Sequence, residues 1–138
     1  MLELDLNLSV LARANVDRLK TFSETLISEL GEIEVLQSRT GLVMLPIRDT
    51  AQGVAFHLGE VLVSEAHIRS GMHQGYGMLR GRDLEASMAM ALVDLAMSKG
   101  VQVAACTRFC ETEADEQTRQ DVDTLRRVEA TRVNMETF

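Results

Sequence analysis

The amino-acid sequence predicts an α+β fold in one domain over residues 1–138: a small antiparallel sheet of about four strands packed by N-terminal, middle and C-terminal helices. Three patterns carry that expectation. Residues 33–80 break into short β-type runs punctuated by glycines. Residues 84–99 are apolar on almost every side, as in a helix buried against a sheet. Residues 113–135 are charged but keep an apolar stripe at helical spacing. A length of 138 residues with 46% hydrophobic side chains is enough for one core without disulfides.

The elements follow in order. Leu2, Leu4, Leu6 and Leu8 alternate with polar residues, the period of a strand, whereas Val10, Leu11 and Ala14 follow helical spacing. Helix is expected from about Leu6, with residues 1–5 unassigned. Asn15 or Asp17 caps a second helix with the stripe Leu19, Phe22, Leu26 and Leu30, and Gly31 stops it. Ile33–Gln37 reads as a first strand, Thr40-Gly41 as a turn, and Leu42–Leu45 as a second strand with Pro46 at its exit. Asp49–Gly53 is a turn cluster. Val54–Leu58 and Glu60–Arg69 give one or two strands around Gly59. Gly71 turns the chain into a last strand, Met72–Leu79, which contains Gly75 and Gly77. Glycines inside a strand mark a bulge or a close backbone approach. Asp83 caps the helix Leu84–Lys99. Residues 100–112 read equally as strand or irregular segment. The last helix runs from Glu113 to about Met135 with the stripe Val122, Leu125, Val128 and Val133.

Composition narrows the function. Aromatics are 4% with no Trp, so the core is aliphatic, with eight Met to fill irregular gaps. A net charge of -7 argues against a general nucleic-acid binder. No apolar run reaches a membrane span, and no signal peptide is expected. Two cysteines, Cys106 and Cys110, fit a cytoplasmic setting. Charge is uneven: residues 35–82 carry five basic and three acidic side chains and all three histidines, whereas both flanks are acidic. Ordinary surface scatter explains this, and so does a face that meets anions or an acidic partner.

No phosphate loop, dinucleotide fingerprint, zincin motif or C-x-x-C occurs in the sequence. Cys106-x-x-x-Cys110 lacks a second ligand pair, so no metal is expected there. His57, His67 and His73 read as half-exposed sheet residues rather than a shared metal site. No catalytic residue and no cofactor is assigned. The most distinctive string is Gly75-Tyr76-Gly77-Met78-Leu79-Arg80-Gly81-Arg82-Asp83, a strand-to-helix junction. Gly81 frees the turn, Asp83 caps the next helix, and Arg80 and Arg82 flank the turn. The arginines suit either a protein interface or an anion at the helix start, although Asp83 already takes the anion's place.

At this string the sequence resembles the PhnG family, a component of the carbon–phosphorus lyase core complex. The likeness runs through Leu8-Ser9-Val10-Leu11-Ala12 and Thr40-Gly41-Leu42-Val43. It continues in Phe56-x-x-Gly59-Glu60-Val61-Leu62-Val63-x-Glu65-Ala66, in Gly75-Tyr76, and in Gly81-Arg82-Asp83. Ala91-Leu92-x-Asp94 and Val128-Glu129-Ala130-Thr131-Arg132-Val133 to Phe138 complete it. Two features depart from the family pattern: Leu2–Asn7 replaces a basic, aromatic opening, and the chain stops at Phe138 where relatives continue.

The resemblance implies an accessory role in phosphonate breakdown. Such a chain acts with components H and I and the ATPase-like component L of the lyase system. Together they join the ribose triphosphate of ATP to methylphosphonate and release adenine. The product is a ribose 1-methylphosphonate 5-triphosphate, and component J later cleaves the carbon–phosphorus bond. Expected partners are the carbon–phosphorus lyase components H, I, J and L, without nucleic acid or membrane, and with self-association when the chain is alone. The competing readings are an independent enzyme or sensor that binds a small anion at Arg80 and Arg82, and a homo-oligomeric scaffold.

Overall fold

A computed structural model of the chain describes residues 2–48 and 55–136. The elements are α1 (Leu2–Ala12), α2 (Val16–Leu30), β1 (Glu34–Arg48), β2 (Ala55–Ser70), β3 (His73–Arg80), α3 (Leu84–Lys99) and α4 (Val103–Glu136). The class is α+β, and among the described residues the sheet has three antiparallel strands in the order β1-β2-β3. None of the described helices is long and apolar enough to cross a membrane.

The expected count of about four strands falls to three because Gly41 is not a turn. It pairs with Val63 inside an unbroken ladder, so the first two expected strands are one strand of 15 residues. Gly59 likewise lies inside β2, opposite Leu45. Pro46 falls at a register shift within β1, not at a strand exit. The expected turn at Asp49–Gly53 lies outside the described residues. Gly71, at φ +63°, begins the two-residue loop that joins Ser70 to His73. The N-terminal helix starts at Leu2, earlier than Leu6, and α4 absorbs the ambiguous residues from Val103 onward.

Helices cover one face of the sheet. Ser64, Ala66, Ile68 and Ser70 of β2 point to the covered side and are buried, while the intervening Glu65, His67 and Arg69 point to the open side. α3 packs directly on β3, and Gly75 and Gly77 make that possible. A Cβ on Gly75 would stand 2.9 Å from the Leu95 amide nitrogen, and one on Gly77 2.9 Å from that of Ala91. The side of α3 that faces the two glycines carries Ser87, Ala91 and Leu95. The core is aliphatic: Leu11, Leu19, Leu26, Leu30, Val93 and Leu95 are buried in one cluster with Cys106.

Polar links fix the helices. Asn15 caps α2 by accepting from the Arg18 amide at 3.0 Å. Lys99 donates to the Leu30 carbonyl at 2.8 Å and to the Ser70 hydroxyl at 3.0 Å, which satisfies the end of α2. Glu113 of α4, with a side chain 3% exposed, takes Arg18 at 2.7 Å and the Asn15 amide at 3.4 Å. Past Asp121, which holds Arg13 at 3.0 Å, α4 is exposed on every side through Thr131.

Candidate functional site

The strand–helix junction is built from three segments of the chain. Gly81, at φ +96°, donates its amide to the Leu62 carbonyl at 2.9 Å. The buried Ser64 hydroxyl donates to the Gly81 carbonyl and accepts from the Asp83 amide at 2.8 Å. Asp83 accepts from the Ala86 amide at 3.0 Å with one oxygen and meets Lys20 of α2 at 3.1 Å with the other. The Ala86 amide first, then Lys20, hold its carboxyl below the usual Asp range despite desolvation. Both oxygens are therefore occupied at the start of α3. Arg80 and Arg82 are exposed and form no ion pair among the described residues.

Lys20 and Ser64 are the neighbours of the junction that the sequence does not point to. Both are far from Asp83 along the chain, and neither belongs to a motif. The alternation that buries Ser64 between Glu60 and Arg69 was the only signal for it.

A second polar cluster lies on the open sheet face. The Tyr76 hydroxyl donates to Glu65 at 2.7 Å, and the other Glu65 oxygen takes Arg39 at 3.1 Å. Tyr76 is pushed up to about 12 by burial and by the adjacent carboxylate, while its hydrogen bond, helped by Arg39, lowers Glu65. At the sheet edge the Tyr76 amide donates to Asp94 of α3 at 2.9 Å, and burial raises the Asp94 pKa. This bond occupies an edge-strand amide that would otherwise offer itself to another chain. His67 meets Gln74 at 2.8 Å, and His73 meets Ser98 at 3.3 Å. These two histidines thus have different partners, and the side chain of His57 lies outside the described residues. Cys106 and Cys110 are buried on one face of α4, and burial pushes both thiols up to about 11. No group of three His, Cys, Asp or Glu among the described residues is placed to hold a metal ion.

Between α2, α3 and β1 runs a groove of about 480 Å³. Ile27, Leu84, Met88 and Leu92 form its apolar part, and Glu24 and Glu85 stand at its rim. The junction and this groove adjoin through Lys20, which bridges Asp83 and Glu85.

Comparison with curated proteins finds no significant match. Comparison with protein families matches residues 5–138 to phosphonate metabolism protein PhnG. That match spans both terminal helices, the sheet and the junction, so the chain belongs to the phosphonate metabolism protein PhnG family.

Proposed function

We propose that this chain is an obligate accessory subunit of the carbon–phosphorus lyase system. In this reading it acts in the cytoplasm with components H, I and L of that system. Together they transfer ribose triphosphate from ATP to methylphosphonate and release adenine, and component J is a further member of the assembly. The supporting observation is the family match over residues 5–138, which makes phosphonate metabolism the setting of the chain. The junction fits a subunit role. Asp83 is already engaged by Ala86 and Lys20, so the helix start offers an anion little, while Arg80 and Arg82 face outward toward a partner carboxylate.

Reconstitution tests this. ATP and methylphosphonate are incubated with components H, I and L, with and without this chain, and adenine is measured. Release is expected only in the complete mixture. Adenine formed by the purified chain alone, or formed undiminished without it, overturns the proposal.

A further inference from the structure

Gly41 stands in a regular part of the β1–β2 ladder, opposite Val63. A glycine inside a strand weakens it and marks a bulge, a bend or the close approach of another group. None of these operates within the chain. The register shifts of β1 lie at Val35/Gln37 and Leu45/Pro46, the φ of Gly41 is not in the left-handed region, and nothing stands within 4 Å of an added Cβ. Gly59, by contrast, adjoins the second shift. The missing side chain at Gly41 leaves a hollow of about 250 Å³ on the open sheet face. Val43, Val63, Met78 and the Arg39–Glu65 pair surround it. The register places Arg80 on the same face, across from Val63. Arg39 is paired with Glu65 and Arg69 with Glu34, which leaves Arg80 as the unpaired charge of this face among the described residues.

We infer that the Gly41 hollow receives an apolar side chain of a partner subunit, and that Arg80 meets a carboxylate beside that side chain. The occupant follows from size and charge. The hollow is smaller than the roughly 300–1,000 Å³ of sites that enclose a small molecule, but it accommodates one projecting side chain. A second copy meeting the same face across a two-fold axis would set Arg80 against a surface with the same excess positive charge. Docking onto another face of a second copy would propagate into chains. A different protein with a carboxylate beside its apolar projection matches both features. The inference rests on the proposed assembly, whose components H, I and L include that partner.

Titration of this chain into components H, I and L, read by sedimentation velocity, tests it with Gly41→Val and Arg80→Glu. Valine suits a strand and would face Val63 across the ladder, so Gly41→Val is expected to keep or raise the urea midpoint of the isolated chain. The same substitution fills the hollow and is expected to weaken assembly at least about tenfold. Arg80 is exposed, so Arg80→Glu is expected to fold as the parent does and to weaken assembly, more at low salt than at high. Should Gly41→Val lower the urea midpoint, Arg80→Glu and the smaller filling Gly41→Ala carry the test. Parental assembly by a folded Gly41→Val or by Arg80→Glu overturns the inference. So does full assembly of Gly41→Val with reduced adenine release, which would make the hollow a ligand site. Self-association of the parent that Gly41→Val abolishes would seat a second copy there and overturn it too. A parent that does not assemble with H, I and L overturns the proposed function as well, a result distinct from these.

Discussion

Gly77 of β3 lies so close to Ser87 of α3 that a methyl group on the glycine would overlap the serine carbonyl oxygen. The sheet and its covering helix meet backbone to backbone here. Gly77→Ala is expected to force α3 outward and cost about 1–3 kcal/mol or more, as over-packing does. Gly41→Ala is the contrast: nothing lies within 4 Å of its added Cβ, and Gly41 is in the interior of β1. That variant is expected to be neutral or stabilising by up to about 1 kcal/mol. Urea midpoints of the two variants against the parent decide it.

Acid should loosen the joint between α2 and α4. The Glu113 carboxylate is held below the usual Glu range, first by its bond to Arg18 and then by the Asn15 amide, against desolvation. Its folded pKa is lower than its unfolded one, so its stabilisation is complete above the ordinary Glu range. That stabilisation is lost as pH falls through the folded value. Glu65 and Asp83 act in the same direction. Glu113→Gln keeps the shape and removes the charge. Because Arg18 is half exposed, the loss near pH 7 is expected to be about 1–2 kcal/mol, not that of a fully buried pair. The gap between parent and variant should narrow as pH falls below about 4. A gap that stays constant down to pH 3 would show that the contribution is steric.

The two thiols should be silent in the folded protein. Cys106 and Cys110 are buried and pushed up to about 11, so at pH 8 roughly one thiol in a thousand is ionised, and that one is covered. A thiol-reactive dye is expected to label neither cysteine within hours in buffer and both promptly in denaturant. Rapid labelling in buffer would mean that α4 detaches readily.

How far the sequence reveals this arrangement depends on the range of each interaction. Helical stripes and caps are local, and α2 and α3 stand where Leu19, Leu26, Asn15 and Asp83 place them. Gly41 misleads because glycine marks turns and strand interiors alike, and only its pairing with Val63 decides between them. The alternating leucines of α1 mimic a strand because polar residues fall between them by chance of spacing; the packing of Leu8 and Leu11 on the core favours helix. Gly75 and Gly77 signal a close approach without naming α3 as the element that approaches. At the junction, Gly81 and Asp83 are legible because their roles are set by the backbone next to them. Lys20 and Ser64 are not, since both arrive through tertiary packing.

The junction separates a structural role from an interface role. Ser64 serves two backbone groups at once, the Gly81 carbonyl and the Asp83 amide, from a fully buried position. Ser64→Ala leaves both without that partner and is expected to cost about 1–3 kcal/mol of fold stability. Asp83→Ala removes the helix cap and the Lys20 pair and is expected to cost about 0.5–2 kcal/mol. Arg82 is exposed and makes no ion pair among the described residues, so Arg82→Ala should change the stability of the isolated chain by no more than about 0.5 kcal/mol. Under the proposed function its effect is expected in the assembly. If Arg82 meets a partner protein, the variant should fold normally yet co-purify poorly with components H, I and L. The loss would be about 3–5 kcal/mol where the pair is buried in the interface, or about 0–1 kcal/mol where it is at the rim. If Arg82 meets substrate phosphate, the variant should assemble fully and lose turnover. The occupied Asp83 carboxylate favours the interface, and full assembly of Arg82→Ala with a large drop in adenine release would reverse that assignment.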